Sequence, residues 1–442
     1  MSSKAISTVR HKDGLPTLAP KLRFPEFRSE GGWTIETLGS VVSISVEKAG
    51  KNTCVPMSIT SGVGLVSQQE KFGRIIAGSS YKNYLLLTKN DFAYNKSATK
   101  EYPEGFIALY TGDELAAVPN SIFTCFRIKN DSSIPQYLNF LFRGNLHGQW
   151  LRKFIEVGAR AHGSLSIDEK DLLALPIPFP MGEKSLLEQQ KIAECLCSVD
   201  ELIATQARKL DALKTHKKGL MQQLFPRKGE TQPRLRFHEF QNTGKWEREE
   251  LSNCLKGVID YRGKAPPKSK SGVPLITAKN VRFGWLDMTN DEYIDENKYE
   301  EWMTRGIPQA GDILFTTEAP LGNVALFPRA GKFALGQRLL TLRSKSERCL
   351  PEFLFHSLLS PAMQEDIDFH STGSTAKGIK SAVFVKLSFC YPKQIGEQQR
   401  IADCLTRLDD LITAQTQKLG ALKTHKKGLM QQLFPASTEV EA

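Results

Sequence analysis

Nothing in these 442 residues spells out a catalytic centre. There is no G-x-x-x-x-G-K-[ST] loop to cradle a nucleotide, no G-x-S-x-G nucleophile elbow and no H-E-x-x-H metal helix. No Rossmann glycine fingerprint stands between a strand and a helix. The Asn/Asp-Pro-Pro-Tyr/Phe tetrapeptide of enzymes that methylate amino groups is missing too; the one Pro-Pro pair, Pro266–Pro267, lies in Ala-Pro-Pro-Lys-Ser. A non-catalytic chain is therefore expected. The cysteines, at 54, 125, 195, 197, 254, 349, 390 and 404, form no C-x2-C pair and have no histidine at zinc spacing. Reduced thiols and no metal follow. No apolar run approaches the ~20 residues that a membrane-spanning helix needs. The opening MSSKAISTVRHKDG has no hydrophobic signal segment, so a cytoplasmic location is expected.

Acid is in short supply as well. Lys and Arg number 59 against 48 Asp and Glu, a net charge of +11. That balance favours an acidic partner, nucleic acid first. The 40% hydrophobic and 24% charged content is otherwise that of a folded chain. His216 and His425 occupy matching places, but each stands among lysines, which suits a solvent-facing or interface position better than a catalytic one.

What is present, above all, is a repeat. Residues 188–226, EQQKIAECLCSVDELIATQARKLDALKTHKKGLMQQLFP, return as EQQRIADCLTRLDDLITAQTQKLGALKTHKKGLMQQLFP at 397–435. The copies agree at 28 of 39 positions, and without a break over the last 15. Upstream, PKLRFPEF at 20–27 returns as PRLRFHEF at 233–240, and Trp33 and Leu38 return as Trp246 and Leu251. GARAHGSL at 158–165 is echoed by GSTAKGIK at 373–380. Residues 40–155 and 253–370 show no comparable agreement. Near-identical parts thus do one job twice, while two divergent parts do analogous jobs on different targets.

Apolar residues in the repeat recur at alternating steps of four and three. The first copy gives Ile192, Leu196, Val199, Ile203, Leu210, Leu213, Leu220 and Leu224, with Gln206 and Lys217 in the same rows. The second gives Ile401, Leu405, Leu408, Ile412, Leu419, Leu422, Leu429 and Leu433, with Gln415 and Lys426. This is the seam of a coiled coil, each helix running roughly 50–60 Å. Ser185-x-x-Glu188 reads as a capping box, and Pro226 and Pro435 as stops. Each helix is acidic in its first half (Asp200 and Glu201; Asp409 and Asp410) and basic in its last (Lys214, Lys217, Lys218; Lys423, Lys426, Lys427). Antiparallel pairing sets acid against base, whereas parallel pairing sets like against like. Exposed pairs contribute only ~0.2–1 kcal/mol each, but all favour one direction. An intramolecular antiparallel coiled coil with approximate two-fold symmetry is expected; the alternative is a parallel coil that dimerises whole chains.

The divergent parts show short β-like runs, such as GFIALY at 105–110 and RLLTLRSK at 338–345, each part then ending in a helical stretch. Each is read as a mixed β/α domain. Their loops gather Lys, Arg, Ser, Thr, Asn and Tyr, which suit phosphates and base edges.

The order of divergent domain, E-Q-Q-x-I-A helix ending L-K-x-x-K-x-G-L-M-x-x-L-F, divergent domain and the same helix again resembles the specificity subunit of type I restriction-modification systems. GVPLITAKNVRFGWLD, GDILFTTEAPLGNVALF and GQRLLTLR are similar to its target-recognition domains. The likeness spans nearly the whole chain. It implies an α+β fold with target-recognition domains at 20–184 and 227–393, spacer helices at 185–226 and 394–435, and tails at 1–19 and 436–442. It further implies that each domain binds one half of a bipartite, asymmetric double-stranded DNA site, with the paired helices fixing the gap. A span of roughly 50 Å suits half-sites more than one helical turn, about 34–36 Å, apart. One copy would join two methyltransferase subunits and the restriction-motor subunits. S-adenosylmethionine, ATP and Mg²⁺ would be used by those partners and not bound by this chain, with the adenine turned out into a partner's pocket. The DNA contacts expected within this likeness are Tyr81, Lys82, Asn83, Lys96, Ser97, Lys100, Arg160 and His162 in the first domain. In the second they are Arg262, Lys264, Lys268, Lys270, Lys279, Asn280, Arg282, Thr316, Thr317 and Lys377. Two other functions fit the composition: a coiled-coil scaffold that binds only proteins, and a self-sufficient DNA-binding repressor.

Overall fold

The computed structural model describes residues 18–436 apart from 61, 156–164, 262–264, 290–291, 329 and 374–376. It divides into two compact units, 1–206 with 418–442, and 207–417. Each unit holds one divergent segment, the beginning of one long helix and the end of the other. The compact units therefore cut through both helices, where the sequence alone suggested boundaries at their ends.

In the first unit the strands are β1 (Trp33–Thr37), β2 (Val42–Ser45), β3 (Val55–Thr60), β4 (Gly64–Ser67), β5 (Leu85–Leu87), β6 (Phe92–Asn95), β7 (Phe106–Leu109), β8 (Ala116–Val118), β9 (Phe123–Ile128) and β10 (Pro176–Pro180). One antiparallel sheet has the order β2-β9-β6-β7 and a second the order β4-β3-β8-β5, in which β3 and β8 run parallel; β1 and β10 form a ribbon. β6 and β7 read Phe-Ala-Tyr-Asn and Phe-Ile-Ala-Leu and are buried throughout. A strand covered on both faces carries a continuous apolar run rather than an alternating one. Phe92 stacks on Phe126 at 5.1 Å, and Phe142 meets both rings edge-on.

The second unit repeats the plan with unrelated residues. Its strands are β11 (Glu247–Glu250), β12 (Leu255–Asp260), β13 (Lys268–Ser269), β14 (Val273–Ile276), β15 (Val281–Arg282), β16 (Trp285–Leu286), β17 (Tyr293–Ile294), β18 (Ile313–Thr316), β19 (Val324–Leu326), β20 (Ala334–Leu335), β21 (Leu339–Ser344) and β22 (Ser388–Tyr391). The sheets have the orders β12-β21-β18-β19 and β13-β17-β14-β20, β14 running parallel to β20, with ribbons β11–β22 and β15–β16.

The long helices span Ser185–Leu224 and Ile395–Leu433. In the first unit Lys426 Nζ lies 2.5 Å from Asp200 Oδ1; in the second, Lys217 Nζ lies 2.5 Å from Asp409 Oδ1. In both units the first half of one helix thus lies against the last half of the other, so they run antiparallel. Every seam residue named above is buried or half-buried. The helix ends are rooted in the domain cores: Ile192, Leu196, Leu433 and Phe434 pack with Trp33, Tyr137 and Phe179, and Leu224, Phe225, Ile401 and Leu405 with Trp246, Phe353 and Phe389.

The capping box is not formed. Ser185 is already helical, and the Glu188 carboxylate accepts from Arg23 Nε at 2.8 Å and Nη2 at 2.7 Å instead of capping backbone. The second copy is the same: Arg236 donates to both Glu397 oxygens at 2.7 Å, and Trp246 Nε1 adds a third bond at 3.1 Å. The next residue is equally engaged. Gln189 Oε1 accepts from Ser133 Oγ and from the Ile134 amide, and Gln398 Oε1 from the Leu350 amide. The repeated Leu-Arg-Phe and Glu-Gln-Gln strings are the two halves of one clamp that fixes each domain to the start of its helix.

Candidate nucleic-acid interface

In each unit one backbone frame presents a divergent loop. At the end of β6, the Lys96 amide donates to Ile122 O at 2.8 Å, and Lys96 O accepts from the Leu165 amide at 2.7 Å. At the end of β18, the Thr317 amide donates to Arg338 O at 3.2 Å, and Thr317 O accepts from the Ile379 amide at 3.0 Å. Leu165 and Ile379, which make these bonds, fall within the stretches 158–165 and 373–380 that echo each other in sequence.

The β6–β7 loop rests on a buried polar floor. Tyr94 Oη donates to Glu104 O at 2.8 Å, and the Glu104 carboxylate holds Arg152. Gly105, at φ +85°, runs so close to Asn95 O that a Cβ would lie 2.4 Å from it. Beneath sits His147, its Nε2 3.2 Å from Gly105 O; burial pushes its pKa down to about 4. Burial, with the Glu104 charge adding to it, raises the Tyr94 phenol well above its usual value. Above this floor Asn95 Oδ1 accepts from the Ser97 amide, and Thr99 Oγ1 from the Tyr102 amide. These side chains, with Ser58 and Lys71, line a cleft of about 280 Å³. Lys96 and Ser97 are half-buried and Lys100 is exposed. The expected Tyr81, Lys82 and Asn83 form a separate turn, where Tyr81 Oη donates to Asn52 O and Lys82 O accepts from the Gly50 amide. Lys82 and Asn83 are exposed.

In the second unit four of the charged candidates carry counter-ions. Lys268 and Lys279 share Glu292, at 2.7 and 3.5 Å; Arg282 pairs with Asp287 at 3.1 Å and Lys377 with Asp368 at 2.6 Å. Hydrogen bonds from Thr289, and then from Arg282, hold the Asp287 carboxyl below its usual pKa. Lys270 is exposed. Asn280, Thr316 and Thr317 are not surface groups: they are 0, 0 and 3% exposed. Asn280 Oδ1 accepts from the Thr277 amide and hydroxyl while Nδ2 donates to Asp287 O, and Thr316 Oγ1 accepts from the Asn323 amide. The physical reason is turn chemistry. An Asn beside Lys looks like a base reader, but its amide closes the loop on itself. Arg160, His162, Arg262 and Lys264 lie outside the described residues. Sequence reasoning missed the Arg23 and Arg236 clamps and the Glu104–Arg152 pair, whose partners lie far apart in the chain.

Among the described residues no cluster of His, Cys, Asp and Glu could hold a metal ion, and no helix is long and apolar enough to cross a membrane.

Residues 253–424 match the family described as the type I restriction modification DNA specificity domain. A putative type I restriction enzyme specificity subunit, MjaX, of Methanocaldococcus jannaschii is 27% identical over 343 residues, covering 76% of this chain and 76% of that protein. Among solved structures, the type I restriction-modification S subunit from M. genitalium aligns with a TM-score of 0.57 at 14% identity over 95% of this chain and 100% of that one. A chain from a structure describing complex assembly and conformational transition of the type I system aligns with a TM-score of 0.51 at 18% identity, covering 92% of this chain and 98% of that one. These structures share the α+β fold, with two β-rich domains and two long helices packed together.

Proposed function

We propose, on the family match over residues 253–424 and the 27% identity to the MjaX specificity subunit, that this chain acts as a type I restriction-modification specificity subunit and reads a bipartite, asymmetric DNA site, one half per divergent domain. It is a non-catalytic subunit of a complex with partner subunits. In this proposal those partners are two methyltransferase subunits and the restriction-motor subunits, which use S-adenosylmethionine, ATP and Mg²⁺. The antiparallel helices serve as the spacer.

One observation carries the reading. The same hydrogen-bonded frame, at Lys96 and at Thr317, presents loops of unrelated sequence in two units rooted on near-identical helices. A constant mount with two different readers is what an asymmetric target requires. The contacts assigned are the exposed or half-exposed polar groups: Tyr81, Lys82, Asn83, Lys96, Ser97 and Lys100 in the first unit, and Lys268, Lys270, Lys279, Arg282 and Lys377 in the second. Arg160, His162, Arg262 and Lys264 stay in the proposal on sequence grounds.

The test is co-expression with a methyltransferase subunit, followed by mapping of methylated adenines across the host genome. The expected outcome is one asymmetric motif in two parts. Methylation with no bipartite motif would refute the reading. In the purified complex, Lys96→Ala and Lys100→Ala should each weaken binding and reduce the slope of log K against log salt by about one unit per phosphate that the lysine neutralises. An unchanged slope removes that lysine from the interface.

A further inference from the structure

We propose that the β15–β16 hairpin of the second unit is an apolar wedge that stacks on DNA bases; this rests on the DNA-reading function above. The root of the hairpin is fixed. Val281 is buried, its carbonyl accepts from Asn323 Nδ2 at 2.8 Å, and the Gly284 amide donates to Val324 O at 2.9 Å. The Asn280 side chain closes the base of the hairpin from one side to Asp287 on the other. Arg282 faces Trp285 across the turn, and Gly284, at φ +93°, supplies the left-handed residue there.

On this frame three large apolar side chains are left in water: Phe283 is 55%, Trp285 57% and Met288 40% exposed. A single exposed apolar residue needs no explanation, but three within six residues on one hydrogen-bonded turn mark an interaction surface. The basic residues identify the occupant. Arg282 faces Trp285, Lys279 precedes the hairpin, and Lys268 shares Glu292 with Lys279; all three cations are exposed, while the side chains of their counter-ions Glu292 and Asp287 are 17 and 16% exposed. Exposed cations together with flat aromatic faces fit an anionic partner that offers flat apolar faces of its own, as a nucleic acid does.

The first unit carries the same combination in different residues. In the second unit the hairpin directly follows β14, whereas in the first unit the corresponding stretch comes after β4, the strand paired with β3. There Phe72, Ile75 and Ile76 are 45, 56 and 56% exposed, next to exposed Lys71 and Arg74. Two domains without sequence agreement thus each carry exposed apolar groups among basic ones.

The experiment uses the full chain assembled with its methyltransferase subunit and a duplex carrying the mapped site. Phe283→Ala, Trp285→Ala and Trp285→Phe are compared for duplex affinity at several salt concentrations and for assembly by size-exclusion chromatography. Removing a base–aromatic stack should weaken binding by roughly five-fold to a hundred-fold. The salt slope should stay as in the parent, since none of these side chains neutralises a phosphate, and Trp285→Phe should recover most of the affinity. Both alanine positions are solvent-exposed, so either variant suffices if the other fails to fold. Parental affinity in both alanine variants overturns the wedge. So does failure of methyltransferase assembly with duplex affinity retained, which would make the surface a protein dock. A parent complex that binds no duplex refutes instead the DNA-reading function on which the wedge rests.

Discussion

Two buried carboxylates show how much one distant arginine can decide. Glu188 and Glu397 are each 1% exposed, and each is neutralised by a guanidinium from the short repeated segment upstream, Arg23 or Arg236. Removing one partner of a buried pair leaves an uncompensated charge. Arg23→Ala should therefore destabilise the first unit by about 3–5 kcal/mol, and the added change Glu188→Gln should recover part of that deficit; urea denaturation of the single and double variants measures both. Two buried histidines add a dependence on pH. Burial lowers His147 from 6.5 to about 4 and His356 from 6.5 to about 3, with Lys217 adding to the shift of His356. Below pH 6.5 the unfolded chain takes up protons that the folded chain refuses. Their contribution to stability is thus fully present above 6.5 and is lost as pH falls towards 4 and then 3. Melting temperatures of the chain and of a His147→Asn, His356→Asn variant across that range should converge as the pH is lowered. At this scale the sequence was least informative. Arg23 and Glu188 are 165 positions apart, and nothing local joins them. Asn280 looked like a reader of bases because its type and neighbours suit one; only its hydrogen bonds reveal a loop clamp.

The long helices were the most legible elements, because a step of four and three over ten positions has no other economical reading. Their direction was legible too, from charge. The structure nonetheless uses that charge differently from the expectation. The ion pairs that join the two helices, Lys217–Asp409 and Lys426–Asp200, put the lysines on seam positions, and burial is the main influence on both acid and base. It pushes the Asp409 carboxyl up and the Lys426 ammonium down, each against the pull of its partner. Desolvation offsets much of such an attraction, so these pairs select direction and register more than they add stability. Asp409→Lys should place two ammonium groups together at the seam, whereas Asp409→Lys with Lys217→Asp restores a pair. We expect the single variant to lose about 1–3 kcal/mol and the exchange to regain most of it, read from a double-mutant cycle. The strands were less legible than the helices. Their runs could be found, but the orders β2-β9-β6-β7 and β12-β21-β18-β19 depend on pairings between distant segments that carry no local mark.

For the molecule as a whole, the reciprocal pairing has a further meaning. Asp200 and Lys217 sit on one helix, Asp409 and Lys426 on the other, at matching places. Either helix therefore possesses both the hook and the eye of the fastening. The residues that the second helix lends to the first unit's core, Leu433 and Phe434, fall in the stretch that is identical to the one ending at Leu224 and Phe225. A chain stopped just after Pro226 would find everything it is missing on a twin of itself. Sedimentation should show such a fragment as a symmetric pair, with Lys217→Asp reducing it to single copies. On the proposed DNA-reading function, such a pair would carry two like readers, and its preferred target would become a palindrome.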